Sequence, residues 1–345
     1  MSNQVIQRNE LQNGTSICGG KYTITAKIGA GGFGITYKAV HNNLDIELCI
    51  KEFFLDGRCM RNSQTLTVTT SEEHSNMFDK YRRAFVEEAK VLARLQHPGV
   101  VKVLDIFDEN GTSYIVMEYI NGESLQSIVE KRGVLSYAEA VNYIAQVADS
   151  LNYIHERHLL HRDIKPDNIM ITPDFKAILI DFGSARLFEE DKTQRHTVIL
   201  THGYAPPEQY SEKSRKGSYT DIYALGATLY FILTGVVPIE ATLRLIETLT
   251  EPKSINAAIP DEANATIVKA MQIQASDRYQ TTLDFMADLR NTKTTNKAPE
   301  QTASTQNKPI ISQSEQTAED NYTTSWVEVG AFILILVVLM LLLLS

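Results

Sequence analysis

His161 to Gly183 reads HRDIKPDNIMITPDFKAILIDFG, and the rest of the chain is read outward from it. Two carboxylates, Asp163 and Asp181, stand eighteen residues apart, with Lys165 and Asn168 between them. Ile169–Ile171 and Ala177–Ile180 are short apolar runs separated by Pro173-Asp174, a pattern that predicts a β-hairpin. Such a hairpin carries Asn168 at one end and Asp181 at the other, back within reach of each other. An amide oxygen and a carboxylate brought together suit a hard cation such as Mg2+, which takes oxygen ligands and phosphate oxygens. Asp163, just upstream, is then placed to orient a hydroxyl nucleophile. A polar loop with a buried, salt-bridged aspartate is the bland alternative. Either HRD or DFG alone would leave it ahead; both together, at this spacing and with Lys165 and Asn168 between, weigh against it.

The 345 residues are enough for a two-lobed domain with extras. A net charge of −9, from 33 basic and 42 acidic residues, argues against a general nucleic-acid binder. Cys18, Cys49 and Cys59 have no CxxC pairing, so neither a zinc site nor a disulfide framework is expected, and a reducing compartment is. The opening MSNQVIQRNELQNG lacks an apolar core and does not read as a signal peptide.

Upstream, Tyr22–Ile28 reads as a strand that runs into Gly29, Gly31 and Gly34, with Ile35–Val40 as a second strand. A dinucleotide-binding turn would open a helix, but ITYKAV has β-branched and aromatic residues and no helical period, so strand–turn–strand is preferred. LCIKEF sets Lys51 inside an apolar strand, where a lysine needs an anion. Across Phe78–Leu95, Tyr81, Phe85, Glu88, Leu92 and Leu95 fall on one helical stripe, with Glu88 inward and Glu87 outward. Glu88 is therefore the expected partner of Lys51. The stretch from about Asp56 to Asn76, with its alternating TLTVTT, is expected as a solvent-exposed excursion. Residues 97–120 read as two strands joined by a turn over Asp108–Gly111. Ser136–Glu139 forms a capping-box pattern that opens a helix burying Ala140, Ile144, Val147, Leu151 and Ile154. Thr220–Thr234 is apolar all round and stopped by Gly235, which predicts a buried helix too short to span a bilayer.

HRD and DFG with Lys165 and Asn168 between them resemble the catalytic and metal-binding loops of eukaryotic-type (Hanks-type) Ser/Thr protein kinases, in a bacterial-looking form. The resemblance spans roughly 22–290. It implies an α+β, bilobal fold: a small β-rich lobe with one key helix, about 22–117, and a larger, mainly helical lobe, about 121–290. It implies that ATP is bound by Gly29, Gly31, Gly34 and Lys51, the last paired with Glu88. Met117 would stand beside the adenine, with Glu118 to Ile120 as the hinge. Asn168 and Asp181 would hold Mg2+, with Mn2+ admissible in its place. Asp163 would accept the hydroxyl proton and Lys165 steady the phosphoryl group. Pro206-Pro207-Glu208 resembles the Ala-Pro-Glu motif with proline for alanine, and Arg278 resembles the partner of Glu208. Thr201 resembles the threonine that lines the substrate groove, and Asp221 the carboxylate that braces the catalytic-loop backbone. Thr193 and Thr197 are candidate phosphosites, with Arg162 as a receiver for the phosphate.

Residues 1–21 are expected as an extension and 291–325, rich in Thr, Ser, Gln and Asn, as a disordered linker. From Trp326 to Leu344 the chain is apolar except for Glu328; nineteen helical residues at about 1.5 Å each approach the ~30 Å hydrocarbon core. A single-pass C-terminal transmembrane helix over 326–344 is therefore expected, with the kinase domain in the cytoplasm. The function expected is phosphotransfer from ATP to Ser/Thr hydroxyls of protein substrates, autophosphorylation included. A homodimer is admitted and nucleic acid is not an expected partner. The alternatives weighed are a membrane-tethered pseudokinase scaffold, a small-molecule phosphotransferase of related fold, and a sensor receptor.

Overall fold

The computed structural model describes residues 9–182, 202–211 and 213–291, all of them within the unit Met1–Thr294. A short strand β1 (Ser16–Ile17) and the long strand β2 (Tyr22–Gly31) lead into β3 (Gly34–His41) and β4 (Ile46–Phe53). A small hairpin follows, β5 (Cys59–Arg61) with β6 (Val68–Thr70), and then the helix α1 (Glu72–Leu92). With β7 (Val103–Glu109) and β8 (Thr112–Glu118), the main sheet has the order β1-β2-β3-β4-β8-β7. The β7–β8 turn centres on Asn110 and Gly111, with φ of 53° and 70°, as a two-residue hairpin turn of the twist-matching type requires.

Alternation along β4 sorts its side chains onto two faces. Phe53 lies on the face covered by α1, its ring 5.2 Å from Phe78 and 5.5 Å from Phe85. Lys51 shares that side. Leu48, Ile50 and Glu52 face the other way and are also buried, so the outer face of the sheet is covered as well. Leu11 and Ile17 belong to the small-lobe core, and the Leu11 N–H donates to the Tyr37 hydroxyl at 3.0 Å. Part of the expected 1–21 extension is thus packed onto the sheet.

The stretch from 56 to 76 is largely exposed, as its polarity suggests, but Cys59, Arg61 and Val68 anchor it to the small lobe. Arg61 is buried and pairs with buried Glu52 at 2.5 Å, while its other nitrogens donate to Asn9 O and Leu66 O, each at 2.8 Å. Glu52 also accepts from the hydroxyls of Tyr37 at 2.9 Å and Tyr114 at 2.6 Å. Val68 donates its N–H to Asn110 O at 2.7 Å, and a Cβ on Gly111 would stand 2.8 Å from Val68 O. One charged side chain, directed inward, fastens an otherwise largely exposed Thr-rich run to the core. The helix α1 starts at Glu72, six residues earlier than Phe78, and ends at Leu92, with Leu95 buried beyond it.

The large lobe opens with β9 (Glu123–Ser124), α2 (Leu125–Arg132) and α3 (Tyr137–His155). Ser136 accepts the Glu139 N–H at 3.3 Å, but the Glu139 carboxylate turns to Arg132 and Tyr143, so half of the capping box forms. Ala140, Ile144, Val147, Leu151 and Ile154 are buried as the 3.6-residue period predicts. The hairpin β10 (Ile169–Ile171) with β11 (Ala177–Leu179) follows, paired Ile169 to Leu179 and Ile171 to Ala177. Beyond it, α4 (Ser218–Thr234) is buried almost throughout and ends at Gly235. Around it lie α5 (Pro252–Ile255), α6 (Asp261–Ala270) and α7 (Thr282–Arg290). No helix among the described residues is long and apolar enough to cross a membrane. Residues 292–345, with most of the 291–325 linker and the 326–344 anchor, lie outside the described residues, as do Gly183, Thr193, Thr197 and Thr201.

Candidate active site

Between the lobes lies a cavity of about 360 Å³, walled by Ile28, Gly29 and Thr36 from β2 and β3 and by Cys49 and Lys51 from β4. Val101, Met117 to Ile120 and Gly122 form its back, and Met170, Ile180 and Asp181 its floor. Of the expected ligand-binding positions, Gly29, Lys51, Met117, Glu118 and Ile120 line it; Gly31 and Gly34 do not. Gly34 has a different constraint: a Cβ there would stand 2.7 Å from Glu52 O, so β3 closes onto β4 only with glycine. Ile28, Thr36, Cys49, Val101, Met170 and Ile180 have no sequence signal, because apolar wall residues carry no motif. Burial pushes the Cys49 thiol up to about 12, which leaves it a neutral wall group.

The floor is built by the β10–β11 hairpin. Ile180 donates its N–H to Asn168 O at 3.0 Å, which ties the two ends together as the sequence predicts. Asn168 is buried, and its amide nitrogen donates to Asp163 twice, to the backbone oxygen and to Oδ2, each at 2.8 Å. Lys165 Nζ stands 3.0 Å from the same Asp163 Oδ2. Asp163, Lys165 and Asn168 therefore form one cluster. Arg162 and Asp181, just before the cluster and just after the hairpin, hold φ of 65° and 58°, sparsely populated for non-glycine residues and held by the surrounding bonds.

The bonds around Arg162 converge on Asp221. It accepts the N–H groups of His161 at 2.9 Å and Arg162 at 2.7 Å, and His155 Nε2 lies 2.8 Å away. Burial opposes its charge, but His155 foremost, with the Arg162 N–H, outweighs it and holds the carboxyl below its usual range. His161 is fully buried against Phe182, and burial pulls its pKa below the ordinary value. Its Nε2 faces Ile180 O at 3.2 Å and its Nδ1 takes the Asp163 N–H at 3.4 Å, the pattern of a neutral ring protonated on Nε2. Farther off, Arg278 grips Glu208 with both terminal nitrogens, at 2.7 and 3.0 Å.

Lys51 departs from expectation. Its ion pair is with Asp181 rather than Glu88. Glu88 nonetheless lies half-buried with Lys51 and Asp181 around a small cavity of about 30 Å³, while Glu87 is exposed. Burial works against the lysine's charge, but Asp181 foremost, with Glu88 and Asp163, holds its pKa above the ordinary value. The nearer carboxylate takes the bond and the helix glutamate adds to the field. Burial would raise Asp181, yet Lys51 and then Lys165 outweigh it and keep the carboxyl below its usual range. An ionised carboxylate and an amide oxygen, on two ends of one hairpin, are hard donors that fit a divalent cation.

The family model of the protein kinase domain matches residues 22–298. A probable serine/threonine-protein kinase of Clostridium perfringens is 33% identical over 290 residues, covering 80% of this chain and 39% of that one. Serine/threonine-protein kinase PrkC of Bacillus subtilis is 31% identical over 282 residues, covering 79% and 40%. The chain thus spans less than half the length of these relatives. Among solved structures, the PpkA-294 apo form superposes with a TM-score of 0.72 at 33% identity, covering 82% of this chain and 99% of that one. With the hairpin that joins Asn168 to Asp181, the Asp163 cluster and the lysine-bearing cleft, the match over 22–298 means that the chain belongs to the protein kinase domain family.

Proposed function

We propose that the chain is a serine/threonine protein kinase that transfers the γ-phosphate of ATP to Ser/Thr hydroxyls of proteins. The observation that carries this reading is the Asp163–Lys165–Asn168 cluster, joined through the β10–β11 hairpin to Asp181 beneath a cavity that holds Lys51. Adenine would lie against Met117 and the Glu118 to Ile120 backbone, with the phosphates toward Lys51 and the glycine-rich turn. A Mg2+ ion held by Asn168 and Asp181 would supply neutralisation of the phosphate charge. Lys51, charged in its buried setting, orients the phosphates. Asp163 accepts the proton of the attacking hydroxyl, and Lys165, on the same carboxylate, neutralises charge on the group in transfer. Positioning and electrostatics carry most of the rate.

The test is phosphotransfer by the full chain with Mg2+-ATP and a generic protein substrate. Asp163→Asn should lower kcat by roughly 10²–10⁴ while ATP still binds, the usual worth of a positioned general base. Transfer that survives this change would remove the mechanism. A wild type that binds nucleotide and transfers nothing would favour a scaffold.

The membrane reading rests on the apolar run from Trp326 to Leu344. It makes the protein a single-pass, C-terminally anchored kinase with its catalytic unit in the cytoplasm, and dimerisation within the bilayer would bring two copies together. Thr193, Thr197 and the Thr/Ser-rich linker would be the targets of autophosphorylation, with Arg162 receiving a loop phosphate. Deletion of 326–344 should move the protein from the membrane to the soluble fraction.

A further inference from the structure

The residues between β4 and α1 touch the glycine-rich turn, the strand that carries Lys51 and the helix of Glu88. At their start, the Phe54 N–H donates to Phe33 O and the Asp56 N–H to Gly32 O, each at 3.2 Å, so the tip of the glycine-rich turn is hydrogen-bonded to this segment. In their middle, the hairpin β5–β6 is clamped by Arg61 on Glu52, the residue next to Lys51. At their end, Thr70 donates its hydroxyl to Arg58 O at 2.9 Å, one residue before Ser71 begins α1, the helix of Glu88. Arg58 Nη1 also lies 3.0 Å from Met77 Sδ on that helix.

A glycine-rich turn has few side chains with which to fix its own height. A Cβ on Gly31 would meet nothing within 4 Å, so no side-chain packing bears on that part of the turn. Besides strand pairing and Phe33, which packs against the small-lobe core, the tip is held by the two backbone bonds to Phe54 and Asp56, and those residues lead into a hairpin with a buried ionic clamp. We propose that the β5–β6 hairpin is a positioning element for the glycine-rich turn over the nucleotide phosphates, with Arg61 and the Asp56 N–H as its two points of grip. The proposal rests on the kinase reading above and adds a residue-level device to it. Arg61 acts through Glu52 and the turn; it touches no substrate.

The test compares ATP with adenosine as probes, both binding to the full chain. Adenosine reports the cavity and hinge, and the excess affinity of ATP reports the phosphates. Arg61→Met removes the clamp. Asp56→Pro removes one N–H at an exposed position, leaving the core untouched. Proline fits there, because Arg58 N–H bonds to Leu55 O and Gly57 has φ of 70°, a turn that favours proline in the Asp56 position. Each variant should weaken ATP about three- to tenfold, the worth of one or two hydrogen bonds, and leave adenosine within about twofold. If Arg61→Met does not fold, Asp56→Pro decides alone. ATP and adenosine weakened in equal measure, or neither weakened, would overturn the proposal. A wild type that binds no ATP would overturn the kinase reading and this proposal with it, a result that needs no variant.

Discussion

Arg61 reaches Glu52 across nine residues in the small lobe, whereas Arg278 reaches Glu208 across seventy in the large lobe. Both are buried guanidinium–carboxylate pairs, and they are satisfied differently. Glu52 keeps two tyrosine hydroxyls besides its arginine. Glu208 has Thr220 at 3.0 Å besides Arg278, which itself also donates to the backbone oxygens of Gln272, Ile273 and Tyr219. The large-lobe pair closes a long loop against α4, and the small-lobe pair folds a local insertion down onto a sheet. The first ties the segment of Pro206 to Tyr210 to α4, and the second ties the β5–β6 hairpin to β4.

That difference sets the largest expected effect. Removing one partner of a buried pair strands the other charge and costs about 3–5 kcal/mol. Arg278→Met should lie at the upper end, since Glu208 is left with one hydroxyl and three backbone oxygens lose a donor. Arg61→Met should cost about 3 kcal/mol, the lower end, because Tyr37 and Tyr114 still serve Glu52. Chemical denaturation of the two variants tests the order, and equal losses would remove the distinction. The apolar double change Glu52→Leu with Arg61→Met should recover much of the loss, as buried pairs replaced together often do.

The two pairs also differ in how far they can be read in the sequence. Glu208 and Arg278 stand in Pro-Pro-Glu and Asp-Arg-Tyr, and the resemblance of these segments to family motifs is enough to name them. So do Asp163, Asn168, Asp181 and Asp221 stand in such motifs, and the hairpin between Asn168 and Asp181 follows from two isoleucine-rich runs and a Pro-Asp turn. Arg61 stands in CMRNSQTLTVTT, where local polarity points to solvent; burial of a single arginine depends on Glu52, Tyr37 and Tyr114, which no local pattern connects. Leu11 and Ile17 are hidden in the same way, as isolated apolar residues in a polar stretch. The Lys51 partner is illegible for a third reason. The helical wheel puts Glu88 inward correctly, but a wheel cannot rank its distance against that of Asp181.

Acid should separate the lobes next. The Asp221 carboxyl is held below its usual range in the folded chain, so its stabilisation is fully present above the unfolded value of about 3.9. It is lost as pH falls through the lower, folded value. The stability that Asp221 supplies should thus be flat from pH 7 to about 5 and decline below about 4. Asp221→Asn should cost about 2–3 kcal/mol at pH 7, the worth of hydrogen bonds to a charged group, and should flatten that acid limb. Denaturation of wild type and variant at pH 7, 5 and 3.5 reads both quantities. A constant gap across that range would mean that Asp221 acts through shape rather than charge.

The smallest expected effect lies at two helix starts that look alike in sequence. Ser136 opens α3 in the large lobe and Ser71 opens α1 in the small lobe, each followed at once by helix. Ser136 accepts the Glu139 N–H at 3.3 Å, whereas the Ser71 hydroxyl pairs with His74 Nδ1 at 2.8 Å and caps no N–H group. Ser136→Ala should therefore cost about 1 kcal/mol, the usual worth of a cap, and Ser71→Ala less than about 0.5. The inequality has a physical cause beyond the hydroxyl itself. In the large lobe the first turn of α3 is fixed by its own cap. In the small lobe α1 is held from outside, by the strand of Thr70 just before it and by Arg58 beside Met77 in its second turn. If Ser71→Ala costs as much as Ser136→Ala, α1 is capped like any other helix, and the inserted hairpin has less hold on it than the bonds at 58 and 70 imply.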